Sequence, residues 1–151
     1  MFTIRQDDPT APHVADLLAF HLADMRGTNP DFAFALDASG LSTPNVSFWT
    51  AWNGAELAGF AALKQLDPHH GEVKSMRAAP ATRRTGMGRA LLQHIIGVAK
   101  ARGYARLSLE TGTEARFQPA ISLYQSAGFV PCAAFSDYKP SPHNQFFALE
   151  L

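Results

Sequence analysis

The 151-residue chain has little that would tie it to a membrane, to nucleic acid or to an oxidising compartment. It contains a single cysteine, Cys132, which excludes an intrachain disulfide and fits a reducing compartment. Thirteen basic and thirteen acidic residues cancel, so no global field would hold a polyanion, and we expect no nucleic-acid partner. No apolar run reaches membrane-spanning length, and the N-terminal stretch MFTIRQDDPT lacks the features of a signal peptide. We therefore expect a cytoplasmic protein without a membrane partner.

Length and hydropathy patterning predict one mixed α/β domain over residues 1–151. The chain is close to the commonest domain size, and its 46% hydrophobic and 17% charged residues are ordinary for a globular protein. Period-two alternation predicts the strands Phe2–Arg5, Val46–Trp52, Leu57–Leu66, Glu72–Ala78, Ala105–Glu110, Phe129–Phe135 and Gln145–Leu151. Spacings of three and four predict the helices Ala11–Met25, Gly86–Arg102 and Pro119–Ala127, with a short helix inside Asp31–Pro44. Hairpin-linked strands thus precede a β–α–β–α–β half.

The stretch RRTGMGRALL, residues 83–92, places two glycines at the start of the longest predicted helix. Glycine destabilises a helix, so its presence here needs a reason. The first amides of a helix have no internal partners, and the helix dipole adds roughly half a positive charge at this end. Gly86 and Gly88 would let an anion approach the backbone, while Arg83, Arg84 and Arg89 add charge. The stretch therefore predicts a phosphate-binding site.

The same stretch carries a family resemblance. Arg83-x-x-Gly86-x-Gly88 fits the [QR]-x-x-G-x-[GA] pyrophosphate loop of the GNAT superfamily, the Gcn5-related N-acetyltransferases. Residues 76–80, MRAAP, resemble that family's acetyl-CoA strand, and residues 123–129, LYQSAGF, resemble its L-Y-x-x-x-G-F segment. The sequences GEVKSMR, LSLETG and FSDY are similar to those of a bacterial subgroup of small, mostly uncharacterised acetyltransferases.

The resemblance implies a GNAT-like fold and acetyl-CoA as co-substrate. In that fold a mixed, mostly antiparallel sheet, flanked by helices, splays apart between two parallel strands, here Glu72–Ala78 and Ala105–Glu110. The pantetheine arm would lie in the wedge, and the pyrophosphate would bind the amides that follow. The residues expected to bind acetyl-CoA are Met76, Arg77, Ala78, Arg83, Arg84, Thr85, Gly86, Met87, Gly88 and Arg89.

The implied activity is transfer of an acetyl group to a primary amine of a small molecule or peptide, by direct attack in a ternary complex. By resemblance Tyr124 is the candidate general acid for the leaving thiolate, Glu72 is the favoured base and Glu110 is the second choice. Each has a structural alternative: Tyr124 packs against Phe129, Glu72 pairs with Lys74 on the same strand face, and Glu110 caps the turn that follows it. Dimers are common in the family, which leaves a homodimer open.

One departure from the family pattern favours a second hypothesis. Phe117 stands where many members carry an asparagine that contacts the cofactor arm, which gives weight to a catalytically idle acyl-CoA-binding or regulatory domain.

Period-two alternation places Glu72, Lys74, Met76 and Ala78 on one face. Ser136–Asn144 is predicted to be a surface loop in which Asp137 and Tyr138 contact the acceptor amine, and His69 and His70 are predicted to be exposed. No cluster has metal-ligand spacing, so we predict no metal.

Overall fold

Seven strands form one sheet in the order β1-β2-β3-β4-β5-β7-β6. A computed structural model of the chain describes residues 2–27, 35–82 and 84–151. The strands are β1 (Thr3–Gln6), β2 (Val46–Asn53), β3 (Glu56–Asp67), β4 (His70–Ala78), β5 (Arg106–Gly112), β6 (Val130–Cys132) and β7 (Asn144–Glu150). The helices of the described ranges are α1 (Pro12–Arg26), α2 (Ala38–Leu41), α3 (Met87–Ala101) and α4 (Gln118–Ser126).

The predicted elements are present, with shifts at their ends. The short helix expected inside Asp31–Pro44 is α2, whereas residues 31–34 of that prediction lie outside the described residues. β6 ends at Cys132, three residues before the predicted end at Phe135. The β2–β3 hairpin turns at residues 54–55, because Asn53 already pairs with Glu56 across it. The mixed, mostly antiparallel sheet is confirmed.

Apolar side chains fill both faces of the sheet. On one face, α3 and α4 cover a cluster that includes Trp49, Leu91, Ile95, Leu107 and Phe129. On the other face, α1 and α2 cover a smaller cluster of buried residues: Val14, Leu17, Leu18, Leu41, Phe48, Phe60 and Ala62. Full burial of one such large side chain contributes about 1.5–3 kcal/mol, so the two layers hold the sheet between them.

β4 and β5 are the one parallel pair of the sheet, and they separate after three residue pairs. Pairing ends at Glu72 opposite Ser108, although β4 continues to Ala78 and β5 to Gly112. Beyond that point the facing edges of both strands lack each other as hydrogen-bond partners. The sheet therefore splays here, as the family resemblance implies.

A β-bulge at Lys74 changes which β4 side chains share a face. Val73 pairs with Leu63 and Ser75 pairs with the next residue of β3, Ala62, so Lys74 is the extra residue. Glu72 consequently lies on the α1 face, whereas Met76 lies on the α3 face. The prediction that Glu72, Lys74, Met76 and Ala78 share one face is therefore wrong, because strict alternation does not survive an inserted residue.

Candidate active site

A cavity of about 840 Å³ opens where β4 and β5 separate. Its walls come from both parted strands, the start of α3, the α4 helix and the second half of α1. Tyr138, from the segment between β6 and β7, also lines it. The topology thus brings segments from most of the chain to one gap in the sheet, which is the usual position of a ligand pocket in a layered fold.

The start of α3 has the geometry of an anion site. Gly86 precedes the helix with φ of 87°, a left-handed conformation that favours glycine, and a Cβ there would meet open space. The helical hydrogen-bond ladder begins with the amide of Ala90 donating to the carbonyl of Gly86 at 2.9 Å. The amides of Met87, Gly88 and Arg89 therefore precede the ladder and point toward the cavity end of the helix. The dipole and the neighbouring guanidinium groups favour a phosphate at this position.

The second glycine of the loop has a packing reason as well. A Cβ on Gly88 would lie 3.1 Å from Cδ2 of Leu123, so the Leu123 side chain on α4 would have to shift by a few tenths of an ångström to accommodate it. The absence of a side chain at Gly88 therefore suits its close contact with α4 as well as the open backbone that the sequence predicted.

Most of the residues predicted to bind acetyl-CoA line the cavity, and Thr85, Arg77 and Arg83 differ from the rest. Met76, Ala78, Arg84, Gly86, Met87, Gly88 and Arg89 all line it. Thr85 does not, since its hydroxyl donates to the carbonyl of Thr82. Arg77 lines it, but its side chain is engaged with α1. Arg83 lies outside the described residues.

Glu72 is almost fully buried and already has partners. Its side chain is 3% exposed, and Oε2 accepts a hydrogen bond from the Tyr138 hydroxyl at 2.6 Å. Nζ of Lys74 lies 3.6 Å from the same oxygen. The ion pair that we considered as an alternative for Glu72 is therefore present, and the carboxylate is held by two neighbours.

Tyr138 is half-buried and lines the cavity, and Asn144 is buried, which corrects the prediction that the whole of Ser136–Asn144 is a surface loop. The ring packs edge-on against Phe135, with centroids 5.2 Å apart, and lies 5.7 Å from the ring of Phe146. Burial and the neighbouring Glu72 raise the pKa of the Tyr138 hydroxyl, so it keeps its proton. The sequence pattern missed this contact because two prolines and a polar composition dominate the segment.

Glu110 has the pKa that a proton acceptor at neutral pH requires. Burial raises the pKa of its carboxyl to about 7, with Lys74 lowering it and Glu72 raising it. Among the residues that the structure describes, no group donates a hydrogen bond to this carboxylate. The turn that Glu110 was alternatively expected to cap is absent at Thr111 and Gly112, because β5 continues through both.

Tyr124 reaches the cavity from the opposite face of the sheet. Its α4 helix covers the α3 face, whereas Glu110 follows Leu109 of that face and so points to the α1 face. Burial raises the pKa of the Tyr124 hydroxyl to about 12, with Arg77 lowering it and Glu110 raising it. The ring also lies 6.0 Å from the ring of Phe129, so the expected packing contact and the cavity position are both present.

A polar network on α1 closes the third side of the cavity and was not predicted from the sequence. Arg77 donates from Nη2 to Asp24 at 2.7 Å and from Nε to Nδ1 of His21 at 2.9 Å. Arg116 also binds Asp24, with Nη1 3.3 Å from Oδ1. Burial and the charge of Arg77 lower the pKa of His21 to about 4, so its ring is neutral and accepts.

Phe117 and His70 also have positions that the sequence did not reveal. A Cβ on Gly112 would lie 2.3 Å from the Phe117 ring, so the ring occupies the space beside β5 into which a side chain at residue 112 would extend. His69 is exposed as predicted, but His70 begins β4, is half-buried and hydrogen-bonds the Ser108 hydroxyl at 2.7 Å. The prediction that His70 is exposed is therefore wrong, since the strand begins two residues earlier than expected.

Within ranges 2–27, 35–82 and 84–151, no group of three or more His, Cys, Asp or Glu side chains could hold a metal ion. None of the helices in the same ranges is both long and apolar enough to span a membrane.

The separation of β4 from β5 and the free amides at the start of α3 fit the acyl-CoA-binding architecture that the family resemblance implies. A family model described as the Acetyltransferase (GNAT) family matches residues 14–129. The chain therefore belongs to the GNAT acetyltransferases, and this membership supports an acetyl-CoA-dependent N-acetyltransferase.

Individual proteins agree with the family model. The chain is 47% identical to the uncharacterized N-acetyltransferase YedL of Escherichia coli K12, covering 100% of this chain and 96% of that protein. It is 46% identical to the uncharacterized N-acetyltransferase YsnE of Bacillus subtilis 168, covering 98% and 99%. A [ribosomal protein bS18]-alanine N-acetyltransferase of Escherichia coli K12 is 34% identical, covering 69% and 68%.

Solved structures share the fold. A crystal structure of a putative acyl-CoA N-acyltransferase from Klebsiella pneumoniae superposes with a TM-score of 0.82 at 26% identity, covering 100% of this chain and 98% of that one. A Bacillus subtilis acetyltransferase crystallised with CoA superposes with a TM-score of 0.74 at 22% identity, covering 100% and 99%.

Proposed function

We propose that the protein transfers an acetyl group from acetyl-CoA to a primary amine of a small molecule or peptide by direct attack in a ternary complex. The observation that carries the proposal is the convergence of Glu110 and Tyr124 on one cavity from opposite faces of the parted sheet. A thioester lying between β4 and β5 would have a proton acceptor on one side and a proton donor on the other.

Glu110 is the base in this proposal, and Glu72 is a supporting residue. Glu72 already accepts a hydrogen bond from Tyr138 and pairs with Lys74, whereas the Glu110 carboxylate receives no hydrogen bond from the described residues. A pKa of about 7 leaves Glu110 able to take a proton at neutral pH, which is the condition for efficient general base catalysis. The order of the two candidates is thus reversed relative to the order that the family resemblance suggested.

The proton and electron balance follows from amide formation. The amine nitrogen bonds to the thioester carbonyl carbon, the carbon–sulfur bond breaks, and the amine proton passes to Glu110. The departing thiolate takes a proton from Tyr124, whose raised pKa of about 12 keeps it protonated beforehand. Main-chain N–H groups on the free edge of β4 beyond Glu72 would stabilise the oxyanion of the tetrahedral intermediate.

The cofactor end of the proposal rests on the start of α3. The amides of Met87, Gly88 and Arg89 precede the helical ladder and would bind the pyrophosphate, with Arg84 and Arg89 adding charge. The neighbouring cavity volume between β4 and β5 would hold the pantetheine arm, whose amides would pair with the free strand edges. A cytoplasmic location, where a lone cysteine stays reduced, completes the proposal.

Substitution of Glu110 tests the function. Glu110→Gln keeps the size and removes the proton acceptor, so thiol release from acetyl-CoA with a pool of amines should fall by about 10²–10⁴-fold. Acetyl-CoA should raise the melting temperature of the variant as much as that of the wild type, because the pyrophosphate site is untouched. Glu56→Gln, an exposed position at the start of β3, is the matched control and should keep full activity. Undiminished turnover in Glu110→Gln would remove it from the base role.

The second hypothesis, an idle acyl-CoA-binding domain, is favoured by Phe117 beside Gly112 in place of the family's asparagine. The same assays separate the two. A melting shift with acetyl-CoA and no thiol release for any amine supports the idle domain, whereas turnover supports the transferase.

A further inference from the structure

Lys74 is a buried cation held in one place beside the parted strands. It is the extra residue of the β4 bulge, and its side chain is only 8% exposed. Its Nζ donates to the Tyr138 hydroxyl, lies 3.6 Å from Oε2 of Glu72 and lies 5.0 Å from the centre of the Tyr138 ring. Fixing a lysine side chain costs rotamer freedom, and the contacts with Tyr138 and Glu72 offset that cost.

The groups that face Glu110 come from three neighbouring elements. β4 contributes Lys74 and Glu72, α4 contributes Tyr124, and the segment between β6 and β7 contributes Tyr138. Lys74 is the cation among these groups. Burial disfavours the charged carboxylate of Glu110, and a neighbouring positive charge favours it. The balance between the two decides the pH at which the carboxylate can accept a proton.

We propose that Lys74 is a positioning residue that sets the pH range over which Glu110 accepts a proton, and that Tyr138 and Glu72 hold its ammonium group where it can do so. This inference rests on the proposed function, in which Glu110 is the base. Glu72 and Ser108 are the last residues of β4 and β5 that pair, and Lys74 and Glu110 each lie two residues beyond them, so both side chains border the start of the gap and line the same cavity. Tyr138 then supplies an acceptor for the ammonium group and a donor for the neighbouring carboxylate.

The direction of the effect agrees with the charges around Glu110. The positive charge of Lys74 lowers the pKa of Glu110, opposing the larger effect of burial. Burial also lowers the pKa of Lys74 itself, while Glu72 and Glu110 raise it. The carboxylates therefore help to keep Lys74 charged, and the charged Lys74 helps to keep Glu110 available as a base near neutral pH.

Direct titration of Glu110 tests the proposal without an acceptor. The side-chain carboxyl carbon of Glu110 is followed by NMR in ¹³C-glutamate-labelled protein, with Glu110→Gln providing the assignment. Lys74→Met should raise the pKa of Glu110 by about one unit or more, since an opposite charge is removed. Lys74→Arg keeps the charge and should return the titration to within a few tenths of a unit of the wild type. Lys100→Met, an exposed position in the last turn of α3, changes the net charge equally and should cause no shift.

A second neutral variant guards against misfolding. Lys74→Gln retains a donor for Tyr138, so it should fold where Lys74→Met does not and should show the same upward shift. An unchanged Glu110 titration in a folded neutral variant would overturn the proposal, as would an equal shift in Lys74→Arg. Full turnover by Glu110→Gln would refute the base assignment alone, because the NMR titration measures the effect of Lys74 independently of activity.

Discussion

Asp7 and Glu110 are two carboxyl groups in the same sheet with opposite environments. Asp7, just after β1, accepts hydrogen bonds from the Thr50 hydroxyl at 2.6 Å and the amide of Asp8 at 2.8 Å, and Nε2 of His13 lies 2.8 Å away. Burial alone would raise its pKa, but these contacts outweigh burial and lower the pKa to about 2. Glu110 is half-buried and accepts no hydrogen bond from the described residues, and burial raises its pKa to about 7.

The difference shows how the fold separates stability from chemistry. A carboxylate that accepts several hydrogen bonds stays charged and stabilises the folded state. A buried carboxylate without hydrogen-bond donors destabilises the folded state when it is charged, and its raised pKa lets it accept a proton near neutral pH. The donors of Asp7 come from β2 and α1, which close around it. Glu110 lies where β4 has parted from β5, so the strand edge that would supply donors has moved away.

The largest change in stability is expected when Glu110 is neutralised above pH 7. Its folded-state pKa lies above its unfolded value, so the stability that it contributes is present below about pH 4.5 and is lost as the pH rises through 7. Glu110→Gln should therefore be more stable than the wild type by about 2 kcal/mol at pH 8.5 and nearly equal to it at pH 4.5. Urea unfolding at both pH values measures the difference. A variant that is no more stable at pH 8.5 would remove the contrast with Asp7.

The opposite pH dependence is expected for Asp7. Its folded-state pKa is depressed, so its contribution is present above the unfolded value of 3.8 and is lost as the pH falls toward 2. Asp7→Asn should lower the free energy of unfolding by about 1–2 kcal/mol at pH 7, and the difference should shrink as the pH approaches 2. Asp16→Asn, an exposed position on α1, is the control and should change stability little. A constant difference across this pH range would mean that Asp7 acts through packing rather than through its charge.

Local structure could be predicted from the sequence, whereas the environment of Glu110 could not. Strands, helices and the glycine-containing start of α3 are local features, and local patterns of apolar and turn-forming residues predicted them. Glu110 was named as a candidate from its place at a strand end and from family resemblance. Its environment was not predictable, because the groups around it come from β4 and from the segment between β6 and β7, which only the folded topology brings together.

Long-range polar contacts were missed for the same reason. The Tyr138 hydroxyl reaches Glu72 across 66 residues of sequence, and Arg77 reaches Asp24 across 53. No periodicity connects such pairs, since their proximity follows from the order of strands and from helix packing. Ser136–Asn144 was predicted to be a surface loop from composition, although the Tyr138 ring within it packs against Phe146 of β7.

The smallest predicted effect concerns Tyr124, the candidate proton donor that lines the same cavity as Glu110. Its pKa of about 12, raised by burial, means that the hydroxyl holds its proton at neutral pH and can give it to a leaving thiolate. Tyr124→Phe should lower the rate of thiol release about tenfold, since one proton transfer is lost while the base and the pyrophosphate site remain. The melting shift caused by acetyl-CoA should stay the same. Tyr104→Phe removes another buried hydroxyl, bonded to Gln65 at 3.1 Å outside the cavity, and should leave the rate unchanged. Equal rates in Tyr124→Phe and the wild type would mean that Tyr124 only packs against Phe129. Of Glu110 and Tyr124, Glu110 alone would then take part in proton transfer.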